Sequence, residues 1–367
     1  MNPDDARIAL SHDWLLSIGG GERCLAVFAD LFPRAKIYTA IHRPEKTGQL
    51  IPPERVQASF LDRYPEVLRK YHRQLLPLMP RAFESLQVED VDLILSSSHC
   101  AAKGIRKPEG AKHICFCYTP MRYVWDLYET YLESMSGVAR QAFSFFAPRL
   151  RKWDKRTASN VDQFIAISKF IAERIERVYE RDSIVIYPPV DCNRFTIDDT
   201  VDRGEHYLVL SRLVSYKRID IVVEAFASLP YKLRIVGDGP QLDELKEKAT
   251  SNVEFSGFVA EEKLVDEYRS ARALIVTAIE DFGLAPIEAA ACGTPTIALA
   301  IGGYLETVQD GVSGIFYNEQ SAGSLKDAVK SFTTQEFNPD DTRKTAIPFD
   351  IPQFKRQIRD LVSDVLG

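Results

Sequence analysis

Ala273-Leu-Ile-Val-Thr-Ala-Ile-Glu280-Asp-Phe-Gly283-Leu-Ala-Pro286-Ile-Glu288-Ala-Ala-Ala291-Cys-Gly293-Thr-Pro295-Thr-Ile-Ala-Leu299 is the stretch that decides how this chain folds. Residues 273–277 form a short apolar run that reads as a buried strand. Pro286 suits the first position of a helix, where its missing N–H had no intrahelical partner. The alanines at 289–291 propagate that helix, and Gly293 ahead of Thr294-Pro295 ends it. A second strand at 296–299 completes a parallel βαβ unit. The helix start offers free N–H groups and a positive dipole end to an anion. Glu280 precedes that terminus and Glu288 is expected in its first turn, so a carboxylate flanks the anion on each side. Such a pair suits the sugar hydroxyls on either side of a diphosphate. Taken alone, the two glutamates also read more simply, Glu288 as a complement to the helix dipole worth ~0.3–1 kcal/mol and Glu280 as a solvated loop charge.

The same alternation runs through the rest of the chain. Tyr207-Leu208-Val209-Leu210 is a strand followed by Ser211-Arg212-Leu-Val-Ser-Tyr-Lys217-Arg218. A strand at 232–236 leads into Gly237-Asp238-Gly239-Pro240, and one at 252–255 into Gly257-Phe258-Val259. In the first half, strands are expected at 7–10, 91–95, 113–117 and 164–167, with helices across 21–32 and near 168–180. Both halves are therefore arrays of βαβ units. Tyr187-Pro188-Pro189-Val190-Asp191 interrupts regular structure between them. The expected domains are 1–189 and 190–349, with a last helix at about 352–366 inside a segment 350–367.

Composition narrows the function. The 367 residues suffice for two domains, and 45% apolar content is ordinary for a globular protein. No run approaches the ~18–20 apolar residues of a membrane span. Met-Asn-Pro-Asp-Asp at the start lacks the basic and apolar regions of a secretory signal. The cysteines at 24, 100, 115, 117, 192 and 292 include no C-x-x-C pair and read as buried reduced thiols. A cytoplasmic location is expected. The net charge of −6 argues against nucleic acid as a partner. It conceals an asymmetry, since residues 1–190 carry 27 Lys+Arg against 23 Asp+Glu and the remainder 19 against 29. Two basic segments adjoin apolar residues. In one, Arg63, Arg69, Lys70, Arg73 and Arg81 interleave with Tyr64, Tyr71, Leu75, Leu76, Leu78 and Met79. In the other, Arg149, Arg151, Lys152, Lys155 and Arg156 follow Phe143-Ser-Phe145-Phe146. Contact with an anionic bilayer surface and a solvated helix face over core aromatics both account for that pattern.

Arg212 and Lys217 lie past a strand end, where open α/β sheets bind ligands, and can meet the charge that grows on a leaving diphosphate. Asp90-Val91-Asp92 is the nearest approach to a metal-binding Asp-x-Asp, but it precedes a strand and reads as a solvated strand entry. Gly19-Gly20-Gly21-Glu22 sits between the first strand and first helix, where glycines admit close backbone approach by a ligand. His99, in Ser98-His99-Cys-Ala-Ala-Lys103, lies just past another strand end; a lone histidine there more often has a structural role.

In order and spacing, these motifs resemble the large retaining glycosyltransferase family that includes bacterial mannosyltransferases and sucrose synthases, family four. The resemblance implies the α/β GT-B fold: two Rossmann-like domains facing each other across a cleft, with a C-terminal helix crossing back to the first. It implies catalytic roles for Glu280, Arg212, Lys217 and His99. Donor contacts fall to Gly20, Gly21, Gly237, Gly239, Phe258, Val259, Phe282, Gly283, Leu284 and Glu288, with Glu280 on the sugar hydroxyls and Glu288 on the ribose. The segment Tyr118-Thr-Pro120-Met-Arg122-Tyr123-Val-Trp125-Asp126 resembles one in bacterial O-antigen and exopolysaccharide mannosyltransferases, which commonly have His where this chain has Tyr118. Acceptor contacts are accordingly expected from Asp13, Tyr118, Arg122 and Trp125. The activity implied by the resemblance is that of a retaining, metal-independent mannosyltransferase. It would use GDP-mannose, need no cofactor, and act on a lipid-linked or growing polysaccharide at the cytoplasmic face of the inner membrane. An enzyme using UDP-glucose or another nucleoside-diphosphate hexose, a non-catalytic GT-B scaffold and a nucleotide-sugar epimerase are the alternatives.

Overall fold

The computed structural model of the protein describes residues 5–66, 69, 72–133 and 135–367, without the side chains of His72 and Arg73. Lys70, Tyr71 and the Arg73 side chain of the first basic segment, and the first four residues, lie outside the described residues. Contacts divide the chain into two units, Met1–Tyr187 with Phe354–Gly367, and Pro188–Gln353.

The first unit is built on seven parallel strands: β1 (Ile8–His12), β2 (Lys36–Thr39), β3 (Val56–Ala58), β4 (Leu93–Ser98), β5 (Lys112–Cys117), β6 (Gln163–Ala166) and β7 (Ser183–Val185). Their order is β3-β2-β1-β4-β5-β6-β7. Every residue of β1 and β4 is buried, as a sheet covered on both faces requires. The second unit has six: β8 (Tyr207–Leu210), β9 (Leu233–Val236), β10 (Val253–Gly257), β11 (Ala273–Val276), β12 (Thr296–Leu299) and β13 (Gly314–Tyr317). Their order is β10-β9-β8-β11-β12-β13, again all parallel. This is the α/β architecture of the GT-B fold, with a Rossmann-like sheet in each unit. In both sheets the chain reverses its direction of winding once, between β1 and β4 and between β8 and β11. A ligand crevice opens at the carboxyl ends of strands at such a reversal.

The strands β2, β3, β7 and β13 were not foreseen from the sequence. Three of them, β3, β7 and β13, are edge strands of three or four residues, too short to show a period. β2 hides a single strongly apolar residue, Ile37, between Lys36 and Tyr38-Thr39. The central βαβ unit differs in one detail. Its helix spans Leu284–Ala291 with Gly283 at the N-cap, so Pro286 is the third helical residue and Glu288 the fifth. No acidic residue occupies the first turn, and the dipole account of Glu288 is set aside.

The last helix, Ile351–Leu366, buries Phe354, Ile358 and Val362, one per turn along a single stripe. Phe354 meets Phe28 and Phe116 with ring centroids 5.3 and 5.7 Å apart, and Phe28 and Phe116 meet each other at 5.4 Å. Each such aromatic pair contributes about 0.5–1.5 kcal/mol beyond its buried area.

Candidate functional site

In the second unit the loops after β8 and β9 lie against each other, backbone on backbone. Ser211 N donates to Val236 O at 3.0 Å and Leu213 N to Asp238 O at 2.9 Å. A Cβ on Gly237, whose φ is +142°, would overlap the Ser211 carbonyl, and one on Gly239 would overlap that of Leu213. These two glycines are required by packing, and their effect is to fix the backbone that carries Arg212. The Arg212 side chain is exposed and its guanidinium donates to the Tyr216 hydroxyl at 2.7 Å. Lys217 Nζ lies 5.5 Å from the centroid of the same Tyr216 ring. One tyrosine therefore spaces the two cations.

Lys217 closes a short turn, Ser215–Lys217, and its ammonium forms an ion pair with Glu280. The Lys217 carbonyl accepts from Thr277 Oγ1 at 2.7 Å, and Gln320 Nε2 donates to Thr277 O at 2.7 Å. Arg218, next along, holds a left-handed φ of +54°, which costs a non-glycine residue about 1–2 kcal/mol. Its guanidinium is tied to Asp220, at 3.1 Å for the closest pair. Glu280 is held from its backbone, since Gly303 N donates to Glu280 O at 2.9 Å. Gly283 (φ +92°) is pressed against Tyr304, whose ring carbon would lie 2.7 Å from a Cβ there. Burial, reinforced by the Glu280 charge, pushes the Tyr304 phenol well up, and it stays neutral at all ordinary pH.

Other expected donor residues lie elsewhere in this unit. Phe282 is buried and packs on Phe349 at 5.8 Å, in the core. Glu288 accepts from the Tyr268 hydroxyl at 2.7 Å. Leu284 is half-buried as the first helical residue. Phe258 is 83% exposed beside a half-buried Val259, so its ring is free for a planar ligand.

The first unit concentrates its chemistry at the β1/β4 reversal. Asp13, expected to meet the acceptor, is wholly buried. Its Oδ2 accepts from His99 N and Cys100 N at 2.6 and 3.0 Å, and its Oδ1 from Ala101 N and Ala102 N at 2.5 and 2.7 Å. Oδ2 also lies 2.9 Å from His99 Nδ1. The carboxylate therefore serves the loop 99–102 and orients His99. Burial penalises its charge, yet His99 and the N–H donors hold the carboxyl well below the usual carboxylate range. Burial also works against a charged His99, but Asp13 outweighs it and raises the imidazole. Arg122 opposes that rise, which places its charge within reach of His99. Tyr118 OH donates to Gly21 O at 3.1 Å and shares a 3.0 Å hydrogen bond with Ser97 Oγ. Gly20 and Gly21 open the helix Gly20–Leu31. A Cβ on Gly21 would make only ordinary contacts, the nearest at 3.5 Å to His12 Cε1. Unlike Gly237 and Gly239, it is not demanded by packing.

Trp125 is not part of that cluster. Its indole N–H donates to Asp154 at 2.8 Å, joining a buried group in which Asp154 pairs with Lys103 and accepts from Tyr179 at 2.9 Å. At the opposite end of the sheet Asp92 accepts from the Arg7 backbone and guanidinium, each at 2.8 Å, so that carboxylate is engaged with an arginine. All six cysteines are buried and free. Sequence reading missed His12, Glu22, Ser97, Tyr216 and Thr277. Their signal was position alone, at or just past the carboxyl ends of β1, β4, β8 and β11 or at the start of the following helix.

The second basic segment falls on the helix Gly137–Ala158. Val138 is 82% exposed and Phe145 57%, with Phe146 also exposed. Arg149 stacks on Phe145, its guanidinium carbon 3.7 Å from the ring centroid. The one acidic residue of this helix, Asp154, is buried. Among the described residues no helix is long and apolar enough to cross a membrane.

Residues 18–194 match the family model described as Glycosyltransferase Family 4, and residues 199–347 match Glycosyl transferases group 1. The D-inositol 3-phosphate glycosyltransferase of Mycobacterium sp. strain KMS is 28% identical over 220 residues, covering 53% of this chain and 49% of that enzyme. The mannosylfructose-phosphate synthase of Agrobacterium fabrum is 32% identical over 161 residues, 36% of each chain. The chain thus spans about half the length, or less, of these curated relatives. Among solved structures, Anabaena HepE in complex with UDP-glucose superposes with a TM-score of 0.70 at 20% identity, covering 97% of this chain and 99% of that one. In sequence the first half of the chain matches the family 4 model and the second half the group 1 model, and in fold the chain is of the GT-B glycosyltransferase type.

Proposed function

We propose that the chain transfers a hexose from a nucleotide sugar with retention at the anomeric carbon and without a metal ion. The donor is GDP-mannose and the acceptor a lipid-linked or growing bacterial polysaccharide. The observation that carries this reading is the Lys217–Glu280 pair at the β8/β11 reversal, with Arg212 exposed beside it. As the bond from the anomeric carbon to the β-phosphate oxygen breaks, charge accumulates on that oxygen. Arg212 and Lys217 supply fixed cations there, and each 1.36 kcal/mol of preferential stabilisation is about tenfold in rate. Glu280 holds the sugar hydroxyls, and the leaving phosphate takes the acceptor proton on the same face. His99, fixed by Asp13, contacts the transferred sugar, and Arg122 meets an acceptor phosphate.

The mannose assignment draws on the 118–126 segment and on the likeness to mannosylfructose-phosphate synthase. The HepE structure with UDP-glucose favours a uridine sugar as the second reading. Saturation-transfer NMR with GDP-mannose and UDP-glucose in parallel, in EDTA, separates them. Selective transfer from GDP-mannose supports donor and metal independence together. Transfer from UDP-glucose alone replaces the donor and keeps the mechanism. Silence from both points to the scaffold reading, to another nucleotide sugar, or to a site that closes only with acceptor present.

The partner surface for a lipid-linked acceptor is the exposed face of the helix Gly137–Ala158. Val138, Phe145 and Phe146 offer apolar insertion, and Arg140, Arg149 and Lys152 offer charge to an anionic bilayer. Wild-type protein should sediment with vesicles containing phosphatidylglycerol and not with phosphatidylcholine alone. The F145S/F146S double variant should stay in the supernatant; if it sediments equally well, this face is not the docking surface.

A further inference from the structure

In the proposed transfer, two segments of the first unit meet the sugar and the acceptor: the loop 99–104 after β4, with His99, and the segment 118–128 after β5, with Arg122. Both are held by the last two turns of the helix Gly137–Ala158. Arg151, Asp154 and Thr157 recur every three residues there and so share one face.

Asp154 stands in the middle of that face, wholly buried. Its Oδ1 forms an ion pair with Lys103, itself 2% exposed. Its Oδ2 accepts from Trp125 Nε1 at 2.8 Å and from the Tyr179 hydroxyl at 2.9 Å. An ammonium and an indole N–H only donate, so the residue types themselves fix the direction of the bonds to the two segments. Lys103 Nζ also donates to Thr157 Oγ1 at 3.3 Å, and lies 5.4 and 5.2 Å from the ring centroids of Trp153 and Tyr179. One turn earlier, Arg151 donates to the Val124 carbonyl, and its guanidinium carbon lies 4.5 Å from the Tyr128 ring centroid. Gly104 is pressed against the same helix, since a Cβ there would overlap the Trp153 ring.

Stability alone is a poor reason for such a pair. Taking an ammonium and a carboxylate out of water costs about as much as their attraction returns, and apolar side chains of similar volume often serve as well. Apolar side chains do not fix direction, however. Here one carboxylate receives a bond from each segment, and a fully satisfied buried network of this kind sets its members in a single arrangement. Lys103 directly follows the residues whose N–H groups bind Asp13, so the His99 loop is fastened at its exit as well as along its length.

We infer that Asp154, with Lys103, is a positioning residue: its carboxylate sets the His99 loop and the segment 118–128 in register with each other. The inference rests on the proposed glycosyl transfer for its kinetic consequence, and on the fold alone for its structural one.

Hydrogen–deuterium exchange of the full chain, read on peptides covering 99–104 and 118–128, tests the structural part. D154N should speed exchange in both peptides by about tenfold or more. W125F should do so in 118–128 alone, and Y179F, which removes a bond to neither segment, in neither. The deciding variant is K103M/D154L, which fills the volume with apolar groups and strands no buried charge. It should melt near the wild type and still exchange faster in both peptides. Wild-type exchange in both peptides of K103M/D154L overturns the inference, as does faster exchange spread evenly over the first unit. Should either Asp154 variant fail to fold, W125F against Y179F decides through the same peptides. Kinetically, with GDP-mannose as donor and water as acceptor, K103M/D154L should lower kcat about tenfold, as loss of a hydrogen bond to a charged group implies. The donor KM should stay within about twofold, because Arg212, Lys217 and Glu280 belong to the other unit. A raised KM with unchanged kcat overturns the inference. If neither GDP-mannose nor UDP-glucose is turned over, it is the proposed function that fails, and the exchange pattern still judges Asp154.

Discussion

At the β1/β4 reversal each oxygen of the Asp13 carboxylate accepts hydrogen bonds and the imidazoles are packed against carboxylates. At β8/β11 Arg212 stands in solvent and Lys217 and Glu280 are each about a quarter exposed. The glycines invert the pattern. Gly237 and Gly239 have no room for a Cβ, whereas Gly21 has room to spare. The same topological position has thus been built in two ways. The second unit stiffens its backbone and leaves its charges reachable. The first ties down its side chains and leaves its turn to be held by hydrogen bonds. Rigidity at a site can come from sterics or from hydrogen-bonded networks, and mutation should separate the two.

The largest expected effect is on stability in the first unit. Asp13→Ala strands four backbone N–H groups and a half-buried imidazole, and should cost about 3–5 kcal/mol in urea unfolding. A loss below about 1 kcal/mol would mean that the loop 99–102 does not depend on Asp13. The direction of the shifts sets the pH dependence. Asp13 and Glu22 are held below their unfolded values, so their contribution is present above about pH 4 and drains as pH falls through the folded values. His99 is raised, so its share is complete below about pH 6.5 and is lost as pH climbs through its folded value. An acid limb unchanged in Asp13→Ala would contradict this.

Next in size, and on activity alone, is Glu280→Gln. Turnover should fall about 10²–10³-fold, the range typical of a group that acts in the transition state, with melting temperature nearly unchanged. Nucleoside diphosphate affinity should hold or improve, because the substitution releases Lys217 from its carboxylate. Equal losses of affinity and turnover would contradict the division of labour between the two residues.

Gly237→Ala against Gly21→Ala tests the glycine contrast. The first drives a methyl into the Ser211 carbonyl and should cost about 1–3 kcal/mol while raising the donor KM. The second should leave stability within about 0.5 kcal/mol. Smallest is Arg218→Gly, which relieves a left-handed residue but gives up the Asp220 pair, so the net change should stay within about 1 kcal/mol.

Much of this was legible beforehand, for reasons specific to particular residues. The strands at 207–210, 273–276 and 296–299 are apolar runs bounded by turn residues, and local physics suffices for those. Arg212, Lys217 and Glu280 stood out only through the order and spacing of their motifs, since each taken alone reads as a surface charge. The start of the helix at Leu284 was misplaced because Pro286 tolerates any position of the first turn, while Gly283 answers to Tyr304, twenty-one residues away. The hold of Asp13 on the loop 99–102 was hidden for a similar reason. Its partners are the N–H groups of residues 99–102, and no local pattern around Asp13 announces them. Asp154 gains meaning only once Lys103 and Trp125 are known to be its neighbours.

The seating of Phe354 between Phe28 and Phe116 also bears on how the protein is made. The first unit is interrupted in sequence by the whole of the second. During synthesis, residues 1–187 emerge with a gap where one of three mutually packed aromatic rings belongs, and residues 188–353 are made before it can be filled. Its seven strands can pair early, but the helix Gly20–Leu31 and β5 acquire their last partner only once residues 354–367 have been made. A ribosome stalled between these two events would carry a complete second unit and an unfinished first one.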